Sequence, residues 1–544
     1  MSSTAEPAAH TPLYFLLSRE VAPEEASPAT VGAKAYGLLR LAQLGLPVPP
    51  GFVLGTEVCR QYFASGGKVP AEVRDLVLTG LARLEDAAGR RFGDERHPLL
   101  VSVRSGAPVS MPGMLETILN IGLCERTLHG LLRVTGNPHL TWDSYRRLAR
   151  DFVEVVHGAP AERFDALLER ECAREGLSSA RDLDTAAWRR IAEESLEIAA
   201  ACTGRPFPQD PNEQLEQAIE AVLRSWQSEK ARHYRAINQI GEAPGTAVII
   251  QAMVFGNAGS QSGAGVGFTR DPATGRRGLY LDFLFNAQGE DVVAGRHAVD
   301  HAPLLSQRLP EIGAQLRQLG ERLEQDFRDV QDFEFTVENG KLFLLQTRTA
   351  QRTPWAALRI AVDLVHEGLI RPAEALARLR GVPIEGLERT RLATGAESAS
   401  IASAEAAGIG VATGAIAFDP ATAARRAREG RHVILVRNAI HAADIEAIAA
   451  ADGILAASGG KTSHAAVVAR QLNKVCLVNC AALRIDPDGG GCTLGGIRLA
   501  EGQELTLDGN DGSIYLGRIK VVRERPEAEL AEVASWRRAT ATAG

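Results

Sequence analysis

SGGKTSHAAVVARQL, residues 458–472, joins a run of glycines and hydroxyl residues to a helix-forming segment. Two interpretations compete for this stretch: either Gly-Lys-Thr closes a nucleotide-binding P-loop, or His464 itself carries a phosphoryl group. A P-loop has the spacing G-x-x-x-x-G-K-[ST]. With Gly460, Lys461 and Thr462 as its end, the position of the first glycine is Leu455, inside the apolar segment GILAAS. The spacing therefore argues against a P-loop.

The histidine interpretation agrees better with helix chemistry. HAAVVARQL predicts a helix that begins near His464, with Thr462 or Ser463 as its N-cap. The first turn of a helix has unpaired amides and the positive end of the helix dipole, which favour a negatively charged group. A phosphoryl group on the imidazole would be held there by amides and hydroxyls. The alternative is a histidine that only packs or caps.

Length and composition indicate a globular protein of several domains. A single core stops growing at about 250–300 residues, whereas this chain has 544, of which 45% are hydrophobic and 23% charged. The net charge of −7 gives no reason to expect nucleic acid or an acidic membrane as a partner. No apolar run approaches the ~18–20 residues that span a bilayer, and the N-terminus lacks the basic lead of a signal peptide. The seven cysteines are scattered, so we expect buried thiols in a reducing cytoplasm.

The pattern along the chain predicts two domains joined by a helical connector. KAYGLLRLAQLGLPVPPGFVL predicts a helix that ends at Gly45 and a strand after it, and residues 140–235 have helical periodicity. Strand-like segments follow at GTAVIIQAMVFG, GVGFTRDPATGRRGLYLDFLF and QDFEFTVENGKLFLLQTR, and residues 352–380 form an amphipathic helix. A segment rich in Ala, Gly and Ser, residues 392–415, predicts a flexible linker. Strands then alternate with one or two helices, and the predicted strands are HVILVRN, ADGILAAS, KVCLVNC and QELTLDG.

QDFEFTVENGKLFLLQTRT, residues 331–349, places polar residues two apart on each of two predicted strands: Asp332 with Glu334, and Gln346 with Arg348. A two-residue Asn-Gly turn would put the two sets on opposite faces. A three-residue loop, residues 338–340, pairs Asp332 with Gln346 and puts all four side chains on one face. We expect the three-residue loop, because carboxylates beside an amide oxygen make a Mg²⁺ site from Glu334, Gln346 and Asp332. The alternative is an exposed polar sheet face.

GGKTSHAAVVAR closely resembles the phosphohistidine motif of the pyruvate phosphate dikinase and PEP synthase family. The resemblance implies that His464 is the nucleophile and phosphocarrier, surrounded by Gly460, Lys461, Thr462 and Ser463. Thr462 matches a threonine that plant relatives use for regulatory phosphorylation. Lys461 stands where dikinases usually have methionine, and it either helps to hold phosphate and lower the histidine pKa or faces solvent.

The N-terminal half resembles the nucleotide-binding part of the same family. VGAKAYGLLRLAQLGLPVPPGF and VSVRSGAPVSMPGM match two motifs whose phosphate contacts correspond to Lys34 and Arg104, and NAQGEDVVAG, residues 286–295, matches nearly letter for letter. Dikinases commonly have a second arginine where this chain has Pro108, so one polyphosphate contact is in doubt. The resemblance also implies that the side chains on the two strands of residues 331–349 line an ATP–Mg²⁺ site.

Glycines and a glutamine complete the predicted ATP-binding set. QSGAGVGFTRDPATG supplies Gly263, Gly265 and Gly267, which would close over phosphates as a loop or else mark a tight hairpin. The complete predicted set is Lys34, Arg104, Gln251, Gly263, Gly265, Asp332, Glu334, Gln346 and Arg348.

The predicted fold class is a multidomain α+β and α/β protein, in which an ATP-grasp nucleotide-binding domain precedes a swivelling β/β/α phosphohistidine domain. The expected divisions are an N-terminal tail (1–29), the ATP-grasp domain (30–351), a helical connector and linker (352–395), the phosphohistidine domain (396–520) and a C-terminal tail (521–544). Full dikinases continue into a (β/α)₈ barrel that binds pyruvate or PEP, and we expect this chain to lack it.

The resemblance implies an ATP-dependent phosphotransferase. His464 would be phosphorylated, from the β-phosphate of ATP with AMP as product, and would pass the group to an acceptor. The acceptor site would lie on a separate barrel polypeptide of a split dikinase. Two alternatives stay open: a dedicated kinase for another small molecule, and a non-catalytic regulatory relative. The expected cofactors and partners are Mg²⁺, ATP, inorganic phosphate and the acceptor, with a monovalent cation and a homodimer as further options.

Overall fold

The computed structural model describes residues 13–17, 26–109, 111, 115–177, 180–237, 240–241, 245–293, 300–393, 399–440, 444–486 and 489–542. The chain divides into two compact units. The first unit is Met1–Ala258 with Phe343–Thr347, and the second is Gly259–Leu342 with Arg348–Gly544. None of the described helices is long and apolar enough to cross a membrane.

The first unit combines an antiparallel sheet with a large helical part. Its strands are β1 (Leu13–Leu16), β2 (Gly51–Leu54), β3 (Arg91–Phe92), β4 (Pro98–Leu99), β5 (Val101–Gly106), β6 (Thr117–Ile121) and β7 (Ala247–Ala252). Its helices are α1 (Pro28–Gln43), α2 (Thr56–Ala64), α3 (Ala71–Ala88), α4 (Glu125–Thr135), α5 (Pro138–Asp151), α6 (Glu162–Arg174), α7 (Thr185–Thr203), α8 (Pro211–Ser225) and α9 (Glu229–Ile237). The main sheet has the order β1-β2-β7-β5-β6.

The helical periodicity of residues 140–235 is confirmed, because α5 to α9 occupy this range, with a π-helical turn at Phe152–Val156 and a 3₁₀ turn at Ala180–Asp182. The helix predicted to end at Gly45 ends at Gln43, and Gly45 has a left-handed φ of 69°. The N-terminal tail differs from the prediction, since Leu13–Leu16 forms a strand that pairs with β2. Leu16 of β1 and Phe52 of β2 are buried, and the burial of such apolar side chains explains why this segment is a strand and not a loose tail.

The second unit contains a five-stranded sheet, the connector helices, an eight-stranded sheet and two smaller sheets. Its strands are β8 (Gly263–Arg270), β9 (Arg277–Phe285), β10 (Asp300–His301), β11 (Gln331–Glu338), β12 (Lys341–Thr349), β13 (Arg389–Leu392), β14 (Ala402–Ser403), β15 (Glu405–Ala406), β16 (Val411–Ala417), β17 (Val433–Arg437), β18 (Gly453–Ala456), β19 (Val475–Val478), β20 (Leu483–Ile485), β21 (Gly491–Leu494), β22 (Ile497–Ala500), β23 (Glu504–Asp508), β24 (Ser513–Leu516) and β25 (Val521–Glu524).

The helices of the second unit connect and cover these strands. They are α10 (Gly289–Val293), α11 (Ala302–Arg308), α12 (Pro310–Phe327), α13 (Pro354–His366), α14 (Pro372–Arg378), α15 (Pro420–Arg428), α16 (Ile445–Ala450), α17 (His464–Gln471) and α18 (Glu527–Thr542). The predicted strands at HVILVRN, ADGILAAS, KVCLVNC and QELTLDG are confirmed as β17, β18, β19 and β23. The amphipathic stretch 352–380 forms two helices, α13 and α14.

A five-stranded antiparallel sheet has the order β10-β9-β8-β11-β12. The register aligns Tyr280 with Phe268 and Asp332, and it aligns Asp282 with Val266 and Glu334. Laterally paired residues share a face of the sheet. We call the face that carries Tyr280, Asp282, Asp332 and Glu334 the polar face.

The glycines of β8 lie on the opposite face, and they belong to a strand and not to the predicted loop. Gly263 and Gly265 lie inside a strand whose backbone pairs with β9 and β11. A Cβ at Gly265 would lie 2.5 Å from Cζ of Phe335, and one at Gly267 would lie 2.4 Å from Cζ of Phe333. The glycines are therefore required by the phenylalanine rings that cover them.

The turn between β11 and β12 also differs from the prediction. Glu338 belongs to β11 and Lys341 begins β12. The loop therefore has two residues, Asn339 and Gly340, with φ angles of 49° and 75°. Two left-handed residues define a type I′ turn, whose twist matches that of the strands. The three-residue loop that would have paired Asp332 with Gln346 is wrong.

An eight-stranded sheet has the order β14-β24-β23-β16-β17-β18-β19-β15. Its central strands β16, β17, β18 and β19 are parallel, and α15, α16 and α17 connect them. Most of the segment predicted as a flexible linker is part of this sheet, since β14, β15 and β16 lie within residues 402–417. Residues 394–398 lie outside the described part. Small residues pack closely here: a Cβ at Gly408 would lie 2.1 Å from the carbonyl oxygen of Lys474.

The C-terminal segment, predicted as a charged, helix-like tail, is a packed part of the second unit. β25 pairs with β13, and α18 buries Val533 and Trp536 in a core with residues of α13 and α14 such as Leu358 and Ala375. The connector helices thus have a hydrophobic core in common with the chain's last helix.

Arg270 joins the end of β8 to the connector. Its guanidinium is 1% exposed and forms hydrogen bonds with Glu324 of α12 and with Glu367 at the end of α13, the shortest at 2.7 Å to each. Removing one member of a buried ion pair leaves the others unpaired and costs about 3–5 kcal/mol.

We therefore expect Arg270→Gln to lower the free energy of unfolding by about 3–5 kcal/mol, measured by urea denaturation. Arg277→Gln is the matched control, because Arg277 also contacts Glu367, at 3.1 Å, but is 68% exposed. It should cost less than about 1 kcal/mol. Equal losses for the two variants would contradict a structural role specific to the buried arginine.

Candidate functional site

The loop of residues 458–463, which we call the His464 loop, leads into α17. The helix begins at His464, and Ser463 is its N-cap, with φ −60° and ψ 151° and a side chain that accepts a hydrogen bond from the amide of Ala466. Of the two predicted caps, the structure uses Ser463. The side chain of His464 lies outside the described part of the structure. Its backbone position, at the first residue of the helix, is the one predicted from the sequence.

The His464 loop is docked on the polar face of the five-stranded sheet. The amide of Thr462 donates a hydrogen bond of 2.9 Å to Oδ2 of Asp282 on β9. Gly460 lies directly against the same carboxyl group, since a Cβ there would be 2.3 Å from Oδ2. The absence of a side chain at Gly460 therefore allows Asp282 to reach the amide two residues further on.

Lys461 forms a second link between the loop and the sheet. Its Nζ donates to Oδ2 of Asp271 at 3.0 Å and lies 4.5 Å from the centre of the Tyr280 ring. The side chain is only 12% exposed, so the alternative in which Lys461 faces solvent is wrong. Burial acts to raise the pKa of Asp271, but the ion pair with Lys461 and the hydrogen bonds from the amides of Thr274 and Ala273 together lower it.

Arg470 fixes the loop from the helix side. Its Nη1 donates to the carbonyl of Lys461 at 2.7 Å, and its guanidinium lies 5.6 Å from the ring centre of Phe268 on β8. Burial lowers the pKa of Arg470, while Asp282 and Asp332 act in the opposite direction. The basic residue of the histidine helix is therefore directed towards the acidic side chains of the polar face.

Asp332 and Arg348, both predicted to bind ATP, form an ion pair with each other. Arg348 Nε lies 2.8 Å from each oxygen of Asp332. Burial raises the pKa of Asp332 to about 6, and Arg348 pulls it the other way. Because both oxygens of Asp332 accept from Arg348, this carboxylate is less suited than the half-buried Glu334 to bind a cation.

The first unit brings Lys34 next to the strand that carries Arg104. The chain leaves the helical conformation at Gly32, where φ is 78°, and the amide of Ala33 donates to the carbonyl of Ala107 just after β5. A Cβ at Gly32 would lie 2.0 Å from the carbonyl oxygen of Gly106. Only glycine fits this approach, which places Lys34 at the end of β5.

Arg104 also contacts the short segment of β12 that belongs to the first unit. Its Nη1 donates to the carbonyl of Leu345 at 3.2 Å, one residue before the buried Gln346. A Cβ at Gly37, one turn after Lys34, would meet the carbonyl of Thr347 at 2.8 Å. The structure thus brings three of the predicted nucleotide-binding residues of this unit, Lys34, Arg104 and Gln346, into one neighbourhood.

In the described part of the structure, the positions of Gln251 and Pro108 do not link either residue directly to the other predicted nucleotide-binding residues. Gln251 on β7 is 1% exposed and donates its side-chain amide to the carbonyl of Pro49, which indicates a structural bond. Pro108 lies in a bend after β5, and residues 110 and 112–114 of the same motif lie outside the described part. Of the motif at residues 286–295, the structure describes 286–293, where α10 begins at Gly289.

The sequence did not identify the residues of the sheet that receive the His464 loop. These residues are Asp271, Tyr280, Asp282 and, from the eight-stranded sheet, Glu405. The only signal was the single carboxylate in the apolar strand RGLYLDFLF, because a buried acid in a strand needs a hydrogen-bonding partner.

Two patterns from known protein families match the chain, one in its nucleotide-binding region and one in the region that contains His464. The pattern described as "Pyruvate phosphate dikinase, AMP/ATP-binding domain" matches residues 65–315, and the pattern "PEP-utilising enzyme, mobile domain" matches residues 430–512. A pyruvate, phosphate dikinase of Rhizobium meliloti is 40% identical over 518 residues, which is 93% of this chain and 58% of that protein. The dikinase of Clostridium symbiosum is 41% identical over the same shares of the two chains.

A chloroplastic pyruvate, phosphate dikinase of Arabidopsis thaliana is 39% identical over 93% of this chain and 53% of its own length. The chain therefore spans little more than half the length of the curated relatives it matches. The mixed α/β architecture, with an ATP-grasp type of nucleotide-binding region and a separate histidine-bearing region, agrees with the predicted fold class. The chain therefore carries a pyruvate phosphate dikinase AMP/ATP-binding domain and a PEP-utilising enzyme mobile domain, and it is homologous to pyruvate, phosphate dikinases over 93% of its own length.

Proposed function

We propose that this chain is an ATP-dependent phosphotransferase that phosphorylates its own His464 and passes the phosphoryl group to an acceptor. The observation that carries the proposal lies within the second unit, where the His464 loop is docked on the polar face that also carries Glu334 and Asp332. The histidine helix and the acidic residues proposed to hold ATP and its cation thus meet on one sheet. Homology to dikinases over 93% of the chain supports the same assignment.

The phosphates of the nucleotide are proposed to bind to cationic residues. Lys34, Arg104 and Arg348 would neutralise phosphate charge, which is the main contribution of a protein to phosphoryl transfer. Arg348 would exchange its bond to Asp332 for one to phosphate. The role of Gln251 would be to support the strand beside Arg104, since its amide is bonded to the backbone.

Two of the three predicted cation ligands suit Mg²⁺ bound together with ATP. Among the described residues no three His, Cys, Asp or Glu side chains form a metal cluster. Mg²⁺ commonly uses one or two carboxylates together with substrate phosphates, so Glu334 would be the main ligand, with Asp332 as a second candidate. Gln346 is the least suited of the three, because a ladder that runs regularly from the two-residue turn puts it on the opposite face of the hairpin from Glu334. When bound, the ion neutralises the charge that develops on the phosphate oxygens.

The proposed transfer begins with attack of a His464 imidazole nitrogen on the β-phosphorus of ATP. A nitrogen–phosphorus bond forms, the bond from the β-phosphorus to the α-phosphate oxygen breaks, and AMP leaves. The terminal phosphoryl group then passes to inorganic phosphate. Because His464 is the first residue of α17, its phosphoryl group would lie at the positive end of the helix dipole.

The acceptor site is proposed to lie outside residues 1–544, most simply on a separate polypeptide that binds pyruvate. Dikinases of the family are named for pyruvate and phosphate, and this chain matches 53–58% of their length. Removal of the phosphoryl group from the phosphorylated protein tests where the acceptor site lies. Pyruvate alone should leave the phosphorylated protein intact, whereas AMP with pyrophosphate should remove the group.

The decisive test uses the pure chain with Mg²⁺, phosphate and ATP labelled separately at the β and γ positions. We expect acid-labile label on the protein from β-labelled ATP, with AMP as the nucleotide product. Label from the γ position alone, with ADP as product, would overturn the assignment to the β-phosphate. The absence of label under all of these conditions would overturn self-phosphorylation, and discharge by pyruvate alone would overturn the separate acceptor site.

A further inference from the structure

The hydroxyl of Tyr280 lies between two carboxyl groups. It is 2.7 Å from Oδ1 of Asp282 on the same strand and 2.6 Å from Oε2 of Glu405 on β15 of the eight-stranded sheet. Both distances are those of strong O–H···O hydrogen bonds. A phenol has one proton and can donate only one such bond. The second bond therefore requires a proton on one of the two carboxyl groups.

The other oxygen of each carboxyl group accepts a hydrogen bond from a nitrogen. Oδ2 of Asp282 accepts from the amide of Thr462 at 2.9 Å, and Oε1 of Glu405 accepts from Nδ2 of Asn479. Because these two oxygens are already acceptors, the additional proton belongs on the side that faces Tyr280. The cluster therefore consists of a phenol, two carboxyl groups and one proton in addition to the phenol's own.

We propose that docking of the His464 loop on the polar face binds one proton, shared by Tyr280, Asp282 and Glu405, and that Asp282 is a positioning residue for the loop. The inference concerns docking alone and does not rest on the proposed function. When the proton leaves for solvent, two carboxylates face one hydroxyl and one of the two hydrogen bonds becomes a repulsion. Asp282 then holds Thr462 less firmly, and β15 is held less firmly to β9.

The sign of the pH dependence follows from the surroundings. Burial raises the pKa of Asp282, and the neighbouring Glu405 raises it further. Burial also raises the pKa of Tyr280, so the phenol keeps its proton. In a released loop Asp282 would regain solvent and its ordinary pKa. A group with a higher pKa in the docked state favours docking at low pH, and this contribution is lost as the pH rises through the docked-state pKa.

Other charges around the cluster change the pH at which the shared proton is released, but they do not remove the need for that proton. The cations Lys461 and Arg470 favour ionised carboxylates and lower the pH of proton release, whereas the acidic neighbours raise it. Among the side chains that the structure describes, the titratable groups around the cluster are Lys461 of the loop, Arg470 of α17, Asp271 beyond β8, and Asp332 and Glu334 of β11.

The first test needs no variant. Amide hydrogen exchange of residues 458–463 is followed by mass spectrometry on the full chain without ATP from pH 5.5 to 8.5. The rates are corrected for the pH dependence of intrinsic exchange. Loss of one proton should reduce the protection of the loop by up to about tenfold per pH unit as the pH rises from the released-state pKa to the docked-state pKa. A flat profile would overturn the proposal, whatever the outcome of the phosphorylation experiments.

Glu405→Gln provides the second test, because its amide donates permanently to Tyr280 and still accepts from Asn479. We expect this variant to remain protected at high pH and to lose the pH dependence. Should it fail to fold by circular dichroism, Asp282→Asn serves the same purpose, since its amide can donate to Tyr280 and accept from Thr462. A wild-type slope in a folded carboxamide variant would overturn the proposal.

A control variant separates the shared proton from other charges. Asp271→Asn breaks the ion pair with Lys461 in the same loop, so it should lower protection at every pH but keep the slope. If Asp271→Asn abolished the slope, the pH dependence would belong to the Asp271–Lys461 pair and the assignment to the Tyr280 cluster would be wrong.

Discussion

His464→Asn should abolish labelling of the protein by β-labelled ATP, with a loss of about 10³–10⁶-fold, the range seen when a covalent nucleophile is removed. The physical reason is that no other group at the start of α17 can form the nitrogen–phosphorus bond. Binding of ATP should be nearly unchanged, because the nucleotide contacts proposed here are made by other residues. Labelling is measured after acid and alkali treatment, which distinguishes phosphohistidine from phosphoesters.

His432→Asn is the matched control for this experiment. His432 belongs to the same domain and contacts Asp452 at 3.0 Å on the surface, 65% exposed. Its replacement should leave the amount of label unchanged. Acid-labile label of wild-type amount on the His464→Asn protein would show that another residue is the phosphocarrier and that the motif has been misinterpreted.

Glu334→Gln should slow Mg²⁺-dependent labelling by about 10²–10³-fold, as expected for the loss of a charge that acts on the transition state. The substitution preserves the shape of the side chain but removes the negative charge that would attract a hard cation. Raising the Mg²⁺ concentration should restore part of the rate. The measurement is the rate of labelling across a Mg²⁺ titration, together with the thermal unfolding of each variant.

Glu338→Gln is the control for Glu334→Gln, because Glu338 lies on the same face of β11 at the turn end of the strand. It should have the wild-type rate and the wild-type Mg²⁺ dependence. Equal rates for wild-type and Glu334→Gln at every Mg²⁺ concentration would remove Glu334 from the proposed cation site.

The elements that could be predicted from the sequence are those whose signals are local. The start of α17 follows from a serine followed by helix-forming residues, and the strands of residues 331–349 follow from alternation. The hairpin turn could not be settled from sequence, because Asn-Gly is compatible with a two-residue turn and with the end of a three-residue loop. The φ values of both residues decide it.

The misinterpreted glycines and the missed carboxylate depend on distant contacts. Gly265 and Gly267 resemble a phosphate loop until the rings of β11 are seen to cover them. Asp282 binds an amide 180 positions away in the chain, and no local pattern predicts that partner. In the same way, neither interpretation of Lys461, as a residue that faces solvent or as one that binds phosphate, included its ion pair with Asp271, which lies 190 positions away.

The ladder between β13 and β25 has a mechanical consequence. One of these strands enters the eight-stranded sheet through residues 393–401, and the other receives the chain as it leaves through residues 517–520. The ladder holds the two chain segments side by side, and the amide of Ala393 extends it by a bond to Lys520. The points at which the chain leads into and out of the histidine-bearing sheet are thus held side by side.

Two covalent connections that meet at one ladder limit how far a released His464 loop can travel and how much it can rotate. Short connections commonly give effective concentrations in the millimolar range. Docking on the sheet can therefore be weak, with a dissociation constant on the order of millimolar, and still be occupied about half of the time. Such an affinity lets the loop leave quickly and return without being lost, which a carrier that must alternate between two sites requires.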